Sequence, residues 1–215
     1  MVSIRDYRTL VFDCDGVILN SNKIKTEAFY EVAKVFGHNK AMALVDYHVQ
    51  NGGISRYAKF EYFLVEILEK EVEAAVLNGL IFEFSHLVKQ ALMACEVAEG
   101  LTALREKTKE AKWLIVSGGD QAELKAVFKQ RGLDVLFDGG IFGSPNTKDE
   151  ILAREISNKT IISPVLFLGD SKYDYRAAKQ AGLDFVFMSE WSEVEDYDKW
   201  VMEERIDTVV NLSRL

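Results

Sequence analysis

Two carboxylates separated by one residue follow a short apolar run near the start of the chain. The run 10–12 is typical of a buried strand, and Asp13, Asp15 and Gly16 come directly after it. Residues i and i+2 of an extended backbone point to the same side, so Asp13 and Asp15 can share one site. Two neighbouring carboxylates resist burial unless a cation or a shared proton compensates their charge. The pattern therefore favours a divalent-metal site with one nucleophilic and one acid–base carboxylate.

The same residues also fit an ordinary turn, because Asp and Gly are common turn formers. A calcium loop of the EF-hand type is a further alternative, but it needs a Glu at its twelfth position and flanking helices. That position falls near Ile24. The segment alone therefore disfavours the calcium loop and leaves the turn open.

More polar clusters follow apolar runs later in the chain. They are Ser117 and Gly118 after the run 113–116, Lys148 at a predicted helix start, and Asp170 with Asp174 after the run 164–168. Ligands of parallel α/β sheets bind at the carboxyl ends of the strands. The convergence of these clusters on strand ends is stronger evidence for a site than any single motif.

The elements that must position these residues alternate in type from about residue 100 onward. Helices are predicted at 101–109, 121–131 and 148–157 and around Ala177, and strands at 113–116, 137–142, 164–168, 185–188 and 208–210. This alternation predicts an α/β fold, a doubly wound, Rossmann-like parallel sheet with helices on both faces.

The region between the first and second polar clusters differs, because its apolar residues recur at helical spacing. Helices are predicted at 22–37, 56–70 and 71–95, the last interrupted near Gly79, with a polar loop at 51–56 between the first two. We therefore expect a catalytic core of residues 1–19 and 98–215 and an inserted all-helical cap of residues 20–97.

Composition limits the partners and the compartment. The 215 residues are 48% hydrophobic, which supports a buried core, and the net charge of −8 disfavours nucleic-acid binding. The longest apolar helical stretch is interrupted by charged residues, so no membrane span is predicted. Two cysteines without a pairing pattern and an N-terminus without an apolar signal core favour a cytoplasmic protein. The sequence leaves the oligomeric state open.

Taken in order, the four clusters resemble the motifs of the haloacid dehalogenase superfamily of aspartate-nucleophile phosphatases. The motif residues are Asp13, Asp15, Ser117, Lys148, Asp170 and Asp174. The resemblance spans nearly the whole chain, and the helical insert is similar to the cap of phosphoglycolate phosphatase-like and β-phosphoglucomutase-like members. It implies a Mg²⁺-dependent phosphomonoesterase that hydrolyses a small phosphorylated metabolite through an aspartyl-phosphate. True dehalogenases of this superfamily lack an Asp at the position of Asp15, so a carbon–halogen substrate is disfavoured.

The resemblance also implies a role for each acidic motif residue. Asp13 would attack phosphorus, and Asp15 would protonate the leaving group and then activate water. Mg²⁺ would bind Asp13, the backbone carbonyl of Asp15, and Asp170. Asp174 would lie outside these ligands and orient the metal's waters or Lys148.

Two further motif residues would contact the phosphoryl group. Ser117 would donate to a phosphoryl oxygen, helped by the backbone amide of Gly118, and Lys148 would stabilise the charge of the transition state. Taken alone, Ser117 is better explained as a helix N-cap, and the alternative for Lys148 is a solvated lysine in a first helical turn.

The predicted cap contributes two candidate substrate contacts. Arg56 ends a loop that resembles the specificity loop of β-phosphoglucomutase-like members, so it is expected either to contact the substrate's distal group or to lie on the surface. Lys25 stands twelve residues after Asp13, where a mutase of this type usually has His. The alternative function is a sugar phosphomutase of the β-phosphoglucomutase type. The departure at residue 25 weakens this alternative and leaves Lys25 as a substrate contact or a surface residue.

The three histidines, His38, His48 and His86, have no motif context and are predicted to be surface or partly packed residues, not ligands.

Two functions from classes other than phosphatases are alternatives for this sequence. One is a switch phosphorylated on Asp13 by a partner, which needs no large cap. The other is a non-catalytic binding scaffold, which the complete set of motif residues disfavours.

Overall fold

The computed structural model describes residues 3–215. Within them the chain forms a six-stranded sheet with the order β3-β2-β1-β4-β5-β6, and all neighbouring strands are parallel. The strands are β1 (Thr9–Phe12), β2 (Lys112–Asp120), β3 (Gly140–Ser144), β4 (Val165–Gly169), β5 (Asp184–Met188) and β6 (Asp207–Val209). The predicted doubly wound α/β fold is confirmed.

Helices precede or connect the strands throughout the described residues. They are α1 (Asn22–Ala33), α2 (His38–Gln50), α3 (Arg56–Tyr62), α4 (Ala74–Ala94), α5 (Leu101–Lys107), α6 (Gln121–Gln130), α7 (Lys148–Ser157), α8 (Lys172–Gln180) and α9 (Tyr197–Glu204). The first five lie between β1 and β2 along the chain, and we call the part that holds the first four, residues 22–94, the helical insert. No helix in residues 3–215 is long and apolar enough to cross a membrane.

The register of the central strands brings the polar clusters to one edge. All four residues of β1 are buried, because strands on both sides and helices on both faces cover them. Phe12, the last residue of β1, pairs with Ile115 of β2 and Leu168 of β4. The residues that follow these three positions therefore emerge side by side at the carboxyl edge of the sheet.

The helical insert differs from prediction in its second helix. Helix α2, over residues 38–50, was not predicted, and α4 runs unbroken through Gly79. The inward face of α2 carries Ala41, Leu44 and His48. Two of these three residues are small or polar, so the helical pattern of the segment is weak. The loop 51–56 consequently joins α2 to α3.

Two smaller differences affect the core. Strand β2 continues to Asp120 instead of ending at Val116, with a register shift against β3 beyond Val116. Helix α9 was also not predicted.

The helical insert has an aromatic centre of its own, in which the ring centroids of Phe29, Phe60 and Phe84 lie 4.4–5.8 Å apart. This packing joins α1, α3 and α4 into one body over the sheet edge.

Candidate active site

Three buried aspartates form the centre of the site. Asp13 follows β1, Asp170 follows β4, and Asp174 lies in the first turn of α8. One carboxylate oxygen from each lies within 4.8 Å of the others. Three carboxylates at this separation repel one another strongly unless positive charge is placed among them.

Lys148 supplies part of that positive charge. Its Nζ lies 2.9 Å from Asp13 Oδ2 and hydrogen-bonds Asp174 Oδ1. Burial disfavours the ammonium, but the two carboxylates outweigh this effect and raise the pKa of Lys148 above its ordinary value. The lysine is the first residue of α7, where the helix dipole disfavours a cation. Its fully buried side chain is therefore held by its carboxylate partners.

Asp13 is fixed through both carboxylate oxygens. Oδ1 accepts a hydrogen bond from the Cys14 amide at 2.7 Å, and Oδ2 faces Lys148. Burial raises the pKa of Asp13 to about 7, against the lowering effect of Lys148. The carboxylate is thus oriented and poorly hydrated, which favours nucleophilic attack on an incoming electrophile.

Asp15 points away from this cluster toward the start of the helical insert. Its Oδ2 lies 2.5 Å from Lys25 Nζ, and its Oδ1 accepts from the Ser21 hydroxyl at 2.6 Å. Burial alone would raise the pKa of Asp15, but Lys25 and Ser21 lower it below its ordinary value. Lys25, one of the two predicted substrate contacts, is therefore a direct partner of the candidate acid–base residue.

Asp170 is the carboxylate with the least compensation. Its Oδ2 accepts from Asn22 Nδ2 at 2.6 Å, and a Cβ on Gly16 would come within 2.0 Å of the same oxygen. Burial, together with the charges of Asp13 and Asp174, raises the pKa of Asp170 well above its ordinary value. The space beside Gly16 accommodates the Asp170 carboxylate only because residue 16 has no side chain.

The donor set fits a hard divalent cation such as Mg²⁺, since carboxylate oxygens are its preferred protein ligands and one ammonium does not balance three carboxylates. Asp13 and Asp170 are the side chains that could hold it. Both oxygens of Asp174 are already engaged, by Lys148 on one side and by Ser171 on the other. That geometry suits a residue that orients Lys148.

Ser117 and Gly118 lie at the same edge, in the irregular end of β2. Ser117 is fully buried, and its Oγ accepts from the Gly119 amide at 3.0 Å. A Cβ on Gly118 would meet the Gly53 carbonyl oxygen at 2.1 Å. The loop 51–56 of the helical insert therefore lies directly on the sheet edge, and only a glycine allows this approach.

Arg56, the other predicted substrate contact, has a protein partner. Its guanidinium forms a two-pronged ion pair with Glu123 of α6 and donates to the Ser85 hydroxyl at 2.7 Å. The side chain is buried, and its charge is already compensated. Tyr57 donates to Asp120 Oδ2 at 2.8 Å beside it. These contacts join the helical insert to the core.

A buried pair on the insert was missed by the sequence analysis. Lys59 Nζ donates to His48 Nδ1 at 2.6 Å, and both residues line the same cavity as Asp13 and Asp15. His48 was predicted to be a surface or partly packed residue, and it is buried at 8% exposure. The prediction failed because α2, which carries His48, was not recognised.

The cavity is small and lies between the insert and the sheet edge. Its volume is about 60 Å³, and its lining combines charged and polar side chains with apolar ones such as Phe29 and Phe84. The charged lining residues are Asp13, Asp15, Lys25, Arg56, Lys59, Asp170 and Glu193. Asn22 contacts Asp170, and Ser21 contacts Asp15. Neither residue belongs to a motif, although both come just after the first motif in the sequence and are therefore within reach of the site.

Comparison with known proteins identifies one family model. The model of the haloacid dehalogenase-like hydrolases matches residues 7–182, which include every motif residue discussed above. No curated protein matches the chain in sequence.

Solved structures share the fold over nearly the whole chain. A haloacid dehalogenase hydrolase of family IA, variant 3, from Entamoeba histolytica superposes with a TM-score of 0.75 at 16% identity, covering 97% of this chain and 95% of its own. A β-phosphoglucomutase from Clostridium difficile gives 0.71 at 17% identity, covering 97% and 92%. A predicted phosphoglycolate phosphatase from Haemophilus somnus gives 0.65 at 18% identity, covering 88% and 87%. At these identities the likeness establishes the fold alone.

Proposed function

Because the chain belongs to the haloacid dehalogenase-like hydrolases, we propose that it is a Mg²⁺-dependent phosphatase acting on a small phosphorylated metabolite through an aspartyl-phosphate on Asp13. The observation that carries the proposal is the buried cluster of Asp13, Asp170 and Asp174 with Lys148 among them. An anionic phosphate is attracted to such a cluster only if a cation joins Lys148 there.

Asp13 is the nucleophile. The Cys14 amide and Lys148 fix its two oxygens, so the carboxylate is held in one orientation at the cavity wall. Attack on phosphorus forms an acyl phosphate and releases the alkoxide of the substrate. Lys148 remains beside the nucleophile and stabilises the negative charge of the phosphoryl group as it is transferred.

Asp15 and Lys25 act together as the acid–base pair. Because Lys25 lowers the pKa of Asp15, the resting carboxyl is ionised and the transferable proton resides on the Lys25 ammonium. An alkoxide is far more basic than an amine, so the proton passes to the leaving oxygen through Asp15. The ionised Asp15 then takes a proton from the water that cleaves the acyl phosphate.

The phosphoryl oxygens are held by Ser117 and Gly118, because the buried hydroxyl and the amide lie in the irregular end of β2, the strand next to β1. When bound, Mg²⁺ supplies positive charge that draws the phosphate to the carboxylates and stabilises the transferring group. Asp13, Asp170 and the backbone carbonyl of Asp15 would hold it. Asp174 keeps Lys148 in place beside the nucleophile.

We assign residues 20–97 to the cap and residues 1–19 and 98–215 to the catalytic core, with the boundaries predicted from the sequence. The contacts of Arg56 with Glu123 and of Tyr57 with Asp120 hold the cap closed. The close approach of Gly53 to Gly118 supports the same interpretation. The closed cap excludes water from the acyl phosphate until the alcohol has formed, and its opening admits and releases ligands.

The test is phosphate release from an aryl phosphate and from a panel of phosphorylated metabolites, with Mg²⁺ or with EDTA. We expect Mg²⁺-dependent release that Asp13→Asn abolishes and that Asp198→Asn, an exposed control, retains. Phosphate released without Mg²⁺, or by Asp13→Asn, would refute the mechanism. An isomerised sugar phosphate without net phosphate release would identify a mutase instead.

A further inference from the structure

Lys59 is a fully buried lysine without a carboxylate partner. Among residues 3–215, no Asp or Glu oxygen lies within 4.0 Å of its Nζ; its hydrogen bonds go to His48 Nδ1 at 2.6 Å and to the His48 carbonyl at 3.5 Å. The Nζ also lies 5.6 Å from the ring centroid of Phe29. A buried ammonium without a counterion is costly, so such groups usually carry a functional requirement.

The other cations around this cavity are already neutralised. Lys25 pairs with Asp15, and Arg56 pairs with Glu123. Lys148 lies behind Asp13 and contacts two carboxylates. Lys59 is thus the cation of the cavity wall, within the described residues, that has positive charge available for a ligand.

His48 fixes the position of the Lys59 ammonium. Its Nδ1 accepts from Lys59, so the ring proton resides on Nε2, which is buried and has no hydrogen-bond partner among the described residues. His48 lines the same cavity as Lys59. The two ring nitrogens point in divergent directions, so an oxyanion at this place would be bound by the Lys59 ammonium, whose position the His48 ring fixes through Nδ1.

We infer that Lys59, positioned by His48, binds a carboxylate at the end of the substrate opposite its phosphate. The inference rests on the proposed phosphatase function and narrows it to short phosphorylated carboxylic acids. One ammonium balances the single charge of a carboxylate, whereas a second phosphate dianion would leave uncompensated charge in a buried site.

Binding at this subsite is coupled to uptake of a proton. Burial, and secondarily the charge of Lys25, lowers the pKa of Lys59 to about 7, while Asp15 and Glu193 oppose the effect and Lys148 adds to it. Burial, and secondarily the charge of Lys59, lowers the pKa of His48 well below its ordinary value, so the ring stays neutral. A bound carboxylate favours the ammonium, so the KM of a carboxylate substrate should rise as pH increases above about 7.

The experiment compares two esters of the same carbon count. We measure kcat/KM for 2-phosphoglycolate and for ethyl phosphate and take their ratio in the wild type, Lys59→Met and Lys70→Met. Lys70 is an exposed lysine of the same insert and serves as the control. We expect a ratio of about 10 or more at pH 6.5 in the wild type and in Lys70→Met, and a fall of about tenfold in Lys59→Met.

Two results of the kinetic arm would overturn the subsite. One is a Lys59→Met variant in which kcat/KM for both esters is unchanged. The other is an equal loss for both esters, because a merely structural role moves both. The wild-type ratio should also decline above pH 7, and a ratio independent of pH in the wild type would contradict the coupling. Lys59→Gln provides a second neutral variant if the Met variant does not fold.

A binding arm separates failure of the subsite from failure of the phosphatase proposal. Calorimetry of 2-phosphoglycolate on Asp13→Asn at pH 8, in buffers of different ionisation enthalpy, counts the protons taken up. We expect an uptake that is lost when Lys59→Met is added, whether or not either ester is hydrolysed. Binding without this Lys59-dependent uptake would refute the subsite even if phosphatase activity is found. Absence of hydrolysis with the uptake present would refute the catalytic proposal alone.

Discussion

Arg56 of the helical insert and Glu123 of the core helix α6 form a buried two-pronged ion pair. The pair also receives support from Ser85 of α4, which accepts from the same guanidinium. A charge on one body is thus balanced by a charge on the other. The relationship makes closure of the insert over the cavity electrostatically favourable without a ligand.

Loss of one partner should therefore be costly. We expect Glu123→Gln to lower the free energy of unfolding by about 3 kcal/mol, because the buried Arg56 charge loses its counterion. Urea denaturation measures the change, and Glu61→Gln, at an exposed site of α3, is the control. Equal stability of the two variants would show that the ion pair contributes nothing.

Lys25 is expected to affect the chemical step and its pH dependence. In Lys25→Met the source of the transferable proton is removed, so kcat should fall by about 100-fold or more. Lys25 holds the pKa of Asp15 below its ordinary value, so the pKa rises in the variant and the acid-side loss of activity moves to higher pH. Lys23→Met, on the exposed side of α1, should retain the wild-type profile. A Lys25→Met enzyme with unchanged kcat would exclude the proton-transfer role.

Mg²⁺ should stabilise the fold independently of any substrate. Binding to the native state alone contributes about 2.7 kcal/mol at a metal concentration 100 times the Kd. We expect the Tm to rise with Mg²⁺ in the wild type and to rise much less in Asp170→Asn, since Asp170 is one of the two side chains that we propose as ligands in the acidic cluster. Asp198→Asn is the matched control. The same Tm increase in all three proteins would argue against this site.

A methyl group at residue 118 should open the closed insert. The Cβ of Gly118→Ala would come within 2.1 Å of the Gly53 carbonyl oxygen, so the loop 51–56 must move away. We expect a KM several-fold higher and a lower kcat in steady-state assays. Gly79→Ala is the control, because a Cβ there meets nothing within 4 Å and should stabilise α4 by about 0.5–1 kcal/mol. Unchanged kinetics in Gly118→Ala would mean that the loop moves freely.

The sequence predicted those site residues whose positions depend on residues close to them along the chain. Asp13 and Asp170 each follow a strand of strong apolar character, so parallel pairing had to bring them to one edge. The partner of Arg56 was not predictable, because Glu123 lies 67 residues away on a helix with no motif. The pairing of Lys59 with His48 depends on α2, whose inward face includes a histidine where an apolar residue is the usual signal.

The volume of the cavity has a consequence for the discovery of inhibitors. A space of about 60 Å³ is well below the 300–1,000 Å³ that pockets for drug-sized molecules typically offer. Compounds that compete with substrate in the closed form must therefore be fragments of a few heavy atoms, whose affinity is limited by their size. Larger compounds would have to capture the open form, and their potency would include the free energy needed to separate Arg56 from Glu123.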